Sequence, residues 1–283
     1  METIAFVSVH GGHSGQFCHH AENTLEEIVQ QYIRKHFPWV GITEHVPAIS
    51  DALRYPDQIA AGLTAEMLMT RFRAYIRECR RLQRHYAAAI KIYTAIEIET
   101  YSGYERYIPD LIATFQPDYL VGSVHFVDDM GFDYSRDQYD RAAAAVGGKD
   151  ALYCRYFDQQ YEMIKLLQPA VIGHFDLIRI FDPEYQARLL QPAIMERIRR
   201  NLALIRDLDL ILDFNLRALL KGASEPYISR PILQIAREMG IAVVPGDDSH
   251  GLASVGAHME TGIAILAAMG FDTDWRQPRL LTY

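Results

Sequence analysis

A chain of 283 residues, 49% hydrophobic and with a formal net charge of −8 from 28 Lys and Arg against 36 Asp and Glu, can bury a sizeable core but lacks the basic balance that holds a nucleic-acid backbone. No apolar run approaches the ~18 residues of a membrane span, and the first residues show no basic segment followed by an apolar stretch, so a cytoplasmic protein with no membrane partner is expected. Three widely spaced cysteines, Cys18, Cys79 and Cys154, fit a reducing compartment better than a disulfide framework.

In chain order, a β-rich segment at residues 4–9 precedes an amphipathic helical pattern that opens at Thr24 and Leu25. A second strand follows at 38–43, a helix at 64–87, and strands at 91–98 and 118–124. The stretch from Arg141 to Gly148 reads as a helix end or loop rather than a domain linker. Beyond it come a helix at 151–168, a strand at 170–173, a helix at 192–207, a strand at 209–214, a helix at 229–239 closing at Gly240, and a strand at 241–245. Strands alternating with helices predict a parallel sheet with crossover helices. Seven such strands in one domain spanning 1–283 predict a distorted, TIM-like (β/α)7 barrel, whose reactive groups would collect at the carboxyl ends of the strands. An open doubly wound sheet is the second choice, but His10-Gly11-Gly12-His13 occupies the place of a glycine-rich dinucleotide loop.

At least six of the eleven histidines fall at or just beyond the end of an apolar run. His10 and His13 follow the first strand, His45 the second, His125 the fourth, His174 the fifth and His250 the last. Packing alone gives no reason for histidines to choose the same edge of successive strands, whereas imidazole ligands must converge on one point from different elements. The first loop, from His10 to His20, holds four histidines in eleven residues, and its glycines allow a tight backbone path. Glu97 ends the third strand and could bridge two cations; Glu99 shares its side of the strand but reads as an ordinary solvent-facing acid. Asp248 and His250, two apart, share one side of an extended segment. Taken alone, His174 is better explained as a satisfied buried histidine than as a ligand, while His36, His85 and His258 read as surface or packing residues.

The strand-edge groups amount to nine candidate ligands: His10, His13, His20, His45, Glu97, His125, His174, Asp248 and His250. One ion takes four to six ligands, so nine imply two or three divalent ions, and imidazole with carboxylate suits zinc, manganese or iron. Such ions can share a hydroxide that attacks a phosphoester. Arg179 and Arg217, expected at the same edge, could hold phosphate oxygens, with Lys221 a weaker candidate. Glu97, Asp248, Arg179 and Arg217 are therefore the residues expected to carry catalysis on a small phosphorylated metabolite. A nucleotide phosphodiesterase and a non-catalytic metal-binding protein are the competing expectations; oligomerisation remains open.

The series as a whole resembles the PHP (polymerase and histidinol phosphatase) superfamily, most closely its histidinol-phosphatase branch. The motifs are Phe17-Cys18-x-His20, Thr43-Glu44-His45, Ile96 to Glu99, Ser123-Val124-His125-Phe126, Phe132 to Ser135, Gly173 to Arg179, Leu216-Arg217, Glu225-Pro226-Tyr227 and Asp248-Ser249-His250. The resemblance implies a trinuclear site in which His10, His13, Glu97 and Asp248 hold one ion, Glu97, His125 and His174 a second, and His20, His45 and His250 the third. It further implies that Arg179 and Arg217 grip the phosphate, and that histidinol phosphate is hydrolysed to histidinol and phosphate in histidine biosynthesis. The spacing from Cys18 favours His20 over neighbouring His19. One departure is visible: the family's opening His-x-His is here His10-Gly11-Gly12-His13, and a glycine bulge is the expected accommodation.

Overall fold

A computed structural model describes residues 4–283. Eight strands form, in order β1 (Trp39–His45), β2 (Lys91–Ile98), β3 (Leu120–Gly122), β4 (Phe126–Val127), β5 (Met130–Gly131), β6 (Val171–Ile172), β7 (Ile211–Asn215) and β8 (Ala242–Gly246). Six of them make one curled parallel sheet in the order β1-β2-β3-β6-β7-β8, and β4 and β5 pair as a separate small hairpin. The expected first strand at 4–9 does not form as such: Ser8 makes a single parallel bridge to Val40. Its neighbours nonetheless bond to both edges of the sheet. Gly41 N donates to Ser8 O at 2.9 Å, and Val9 N donates to Pro245 O at 3.0 Å.

Glycines let this segment and the sheet come close together. A Cβ on Gly11 would lie 2.3 Å from the Gly41 carbonyl oxygen, and one on Gly41 would overlap the Tyr119 phenol, whose hydroxyl donates to Val9 O at 2.6 Å. The segment stays bonded to both edges past the bridge, with Gly11 N donating to Gly41 O at 2.9 Å and Asp248 N to His10 O at 2.9 Å.

Among the described residues there are eleven helices: α1 (Leu25–Arg34), α2 (Pro56–Ala60), α3 (Ala65–His85), α4 (Tyr104–Phe115), α5 (Arg136–Ala145), α6 (Lys149–Leu167), α7 (Tyr185–Leu189), α8 (Pro192–Asp207), α9 (Arg217–Leu220), α10 (Arg230–Glu238) and α11 (Met259–Ala268). α1 starts where Thr24 and Glu27 cap each other reciprocally, satisfying backbone donors that the first turn leaves free. α3 buries Leu68, Phe72, Tyr75, Ile76, Cys79 and Leu82 along one stripe, and its Tyr75 hydroxyl reaches Ile42 O in β1 at 2.9 Å. Among the described residues, no helix is long and apolar enough to cross a membrane.

The register sets the site. β1 and β2 run in parallel with His45 opposite Glu97, and β7 and β8 end with Asn215 opposite Gly246. The loops that follow therefore open on one edge of the sheet.

Candidate metal centre and active site

Glu97 is the hub. It is 1% exposed, and its two carboxylate oxygens point at two different groups of imidazoles. Oε2 lies 3.3 Å from His10 Nε2, 3.6 Å from His13 Nε2 and 3.3 Å from His45 Nδ1. Oε1 lies 2.9 Å from His174 Nε2 and 3.4 Å from His125 Nε2, and accepts from Ser123 Oγ at 2.6 Å. Asp248 adds a second carboxylate, with Oδ1 3.3 Å from His13 Nε2. Its backbone is left-handed (φ 43°), a conformation Asp tolerates, and its amide donates to His10 O at 2.9 Å.

A second set of acceptors fixes the rings. His10 Nδ1 donates to Asp213 Oδ2 at 2.8 Å, His13 Nδ1 to Glu44 Oε1 at 3.2 Å, His125 Nδ1 to Glu99 Oε2 at 2.8 Å, and His250 Nδ1 to Asp248 O at 2.9 Å. Occupying Nδ1 in this way aims Nε2 inward, where it becomes a ligand once a cation displaces its proton. The inward atoms have too few partners: His10 Nε2 and His13 Nε2 are buried without a hydrogen bond, and His125 Nε2 faces His174 Nε2 at 3.2 Å. Buried polar atoms left unpaired are costly, and converging imidazole nitrogens between carboxylates fit divalent cations of the zinc, manganese and iron type. His10, His13 and Glu97 form one such group, His10, His174 and Asp248 another, and His13, Asp248 and His250 a third.

Electrostatics tell the same story. Burial opposes a charge on His13 and His125, yet neighbouring carboxylates overcome it, raising His13 to about 9 through Asp248 and Glu44 and His125 to about 10 through Glu99 and Glu97. Burial likewise works against ionisation of Glu99, but His125 and His45 lower it to about 2. His250 goes the other way: burial and the nearby His13 charge hold it well below the ordinary histidine range. Protons thus stand where cation charge is wanted.

The structure brings all nine candidate ligands to one place. His20, though partly open to solvent, has its ring centroid 4.8 Å from that of His250 and 5.5 Å from that of His45; His19 is exposed as well. Despite the extra residue in the first loop, His10 and His13 approach the same oxygen of Glu97. The glycines between them are there for close packing, since neither Gly11 nor Gly12 takes a positive φ and a Cβ on Gly12 would meet Ile28 at 2.7 Å.

Several expectations need correction. Glu99 is not solvent-facing: it is 1% exposed, bonded to His45 and His125, and accepts from the Tyr55 hydroxyl at 2.7 Å. The reason is that β2 is covered on both sides, so alternation does not carry a residue to water. Arg179 does not line the cavity. Its guanidinium is buried 4.6 Å from the Tyr227 ring centroid, donates to the Glu225 and Pro226 carbonyls at 3.0 and 2.7 Å, and lies 3.3 Å from Asp176. Arg217, Lys221, Tyr227 and Leu177 do line a cavity of about 180 Å³ over the histidines, together with Tyr55, Asp57, Asp133 and Tyr134. His36, His85 and His258 are exposed and away from it. Missed altogether were Asp213 and Glu44; the available signal was an acid inside the apolar strand Ile211 to Phe214 and another beside His45.

A family model for the PHP domain matches residues 11–217. The chain belongs to the PHP domain family. A probable histidinol-phosphatase of Schizosaccharomyces pombe is 33% identical, the match covering 91% of this chain and 85% of that protein. The histidinol-phosphatase of Saccharomyces cerevisiae is 27% identical over 87% and 84% of the two chains. The histidinol phosphate phosphatase of Lactococcus lactis, whose crystal structure contains zinc, L-histidinol and phosphate, shares the PHP fold with a TM-score of 0.71 at 17% identity, covering 94% of each chain.

Proposed function

We propose that this PHP protein is a metal-dependent phosphomonoesterase that hydrolyses histidinol phosphate to histidinol and phosphate, serving histidine biosynthesis. The observation that carries this is the cluster of imidazoles around Glu97 beneath a cavity lined by Arg217 and Lys221, in a chain whose full-length relatives are histidinol-phosphatases. In this reading the whole chain is one catalytic domain, and the N-terminal segment from Val7 to Gly11 serves as a seventh element between β1 and β8. His10, His13, Glu97 and Asp248 would hold one ion, Glu97, His125 and His174 a second, and His20, His45 and His250 a third, with zinc, manganese or iron all compatible with the donors.

Cations so held supply a water nucleophile at neutral pH and neutralise charge on the phosphoryl oxygens. The chain's own residues do the rest. Asp213, Glu44 and Glu99 hold the imidazoles in one tautomer and orientation. Arg217, braced by its bond to Asp248 O at 3.1 Å, presents a permanent charge to the phosphate, and Lys221, whose charge burial and Arg217 disfavour, lines the cavity beside it. Burial pushes the Tyr227 hydroxyl up, so it stays protonated as a hydrogen-bond donor to an anionic ester. Arg179 stacks against that ring from behind and acts as a positioning residue.

The test is phosphate release by protein reconstituted separately with zinc, manganese and iron, given histidinol phosphate beside sugar phosphates, nucleotides and a phosphodiester. The expected result is a clear preference in kcat/KM for histidinol phosphate and no turnover after chelation. Preference for another phosphoester would discard the substrate and keep the metal chemistry.

A further inference from the structure

Once the metal-facing groups are accounted for, one charged side chain in the cavity has no work assigned to it. Glu97 and Asp248 face imidazoles, and Asp57, whose oxygens also lack a hydrogen bond, has the His20 imidazole as its ion-pair neighbour at 3.7 Å. Asp133 also lines the cavity, and its Oδ1 is buried with no hydrogen-bond partner among the described residues. A buried carboxylate oxygen left unpaired costs free energy unless a donor arrives.

Its placement is fixed. Asp133 follows the β4–β5 hairpin, and Phe132 N donates to His125 O at 3.2 Å, tying this segment to the histidine end of the cavity. The negative charge of Asp133 reaches His125, Tyr55 and Tyr227. The carboxylate therefore lines the same cavity as His125, Tyr55 and Tyr227.

We infer that Asp133 receives the ammonium group of the substrate's alcohol portion and so selects phosphate esters of amino alcohols. The inference rests on the proposed histidinol phosphate reaction. In that ester the amine nitrogen is only two carbons from the bridging oxygen, so its partner must lie beside the reacting phosphate rather than at a distant rim. An anionic oxygen with no hydrogen-bond partner on the cavity wall matches an ammonium, and the arriving ammonium offsets the repulsion between that carboxylate and the phosphate. The phosphate end is drawn to Arg217 and Lys221, which line the same cavity, and the Asp133 charge reaches Lys221 as well.

The experiment compares the wild-type and Asp133→Asn holoenzymes on histidinol phosphate and on the same imidazolyl ester without its amine. The wild type is expected to favour the amine-bearing ester by about tenfold or more, and the variant to lose about tenfold to hundredfold of kcat/KM on that ester, so that the preference collapses. Equal losses on both esters would overturn the inference, because a proton donor to the leaving oxygen or a structural residue would not distinguish them. A preference that survives the substitution would overturn it too. Should the variant not fold, the wild type alone decides: no preference for the amine refutes the assignment. Failure of the functional reading looks different, since the wild type would then turn over neither imidazolyl ester better than unrelated phosphate esters.

Discussion

Asp213→Asn tests whether the acids behind the histidines hold the metal site together. Asp213 is fully buried, and its Oδ2 takes the His10 Nδ1 proton at 2.8 Å while also accepting from His174 N at 3.2 Å and Asn215 Nδ2 at 3.0 Å. The amide keeps the shape but removes the charge, and a hydrogen bond to a charged group contributes about 1.5–3 kcal/mol against about 1 for a neutral one. Because ring orientation and ligand basicity both fall, metal affinity should weaken by roughly tenfold to hundredfold. Competition of zinc or cobalt between the protein and a chromophoric chelator measures this, with melting of the metal-free variant as the control for folding. An affinity within twofold of the wild type would refute the claim that Asp213 tunes His10.

Arg217→Ala should leave metal content unchanged and cut kcat/KM by about tenfold to hundredfold, with KM rising; unaltered kinetics would remove this arginine from phosphate binding. Zinc binding at neutral pH should release protons, because His13 titrates near about 9 and His125 near about 10 in the metal-free protein and a ligand imidazole must be neutral. Both values are raised above the ordinary 6.5, so their contribution to metal-free stability is complete below that pH and lost as pH rises past about 9 to 10. Calorimetry in buffers of different ionisation enthalpy reads the released protons, and none released would contradict the assignment. Gly11→Ala places a methyl 2.3 Å from Gly41 O, and overpacking of this kind costs about 1–3 kcal/mol. A melting temperature lower by roughly 2–10 °C is expected in thermal scans, and an unchanged one would show that the segment can shift.

The residues at the strand edges were legible because hydrophobic runs end where the chain meets water, and a histidine there stands out from its surroundings. That signal picked out His10, His13, His45, His125, His174 and His250, whose rings the fold brings together, and the spacing from Cys18 favoured His20 over His19. The helices at 64–87, 151–168, 192–207 and 229–239 were equally readable from their periodicity. Local pattern was silent on the second layer of acids. Asp213 and Glu99 look like any strand acid until parallel neighbours bury both sides of the strand and bring an imidazole to within 2.8 Å of each.

By itself the sequence determined an α/β chain with metal-ligand chemistry at one edge, because burial and ligand type are properties of single residues in a local pattern. Tertiary structure decided which oxygen of Glu97 meets which histidines, that Arg179 is turned behind Tyr227 instead of into the cavity, and that the N-terminal segment shrinks to one bridge. Those outcomes depend on distances between segments far apart in the chain, and on a close approach of Gly11, Gly41 and Tyr119 that no local pattern encodes.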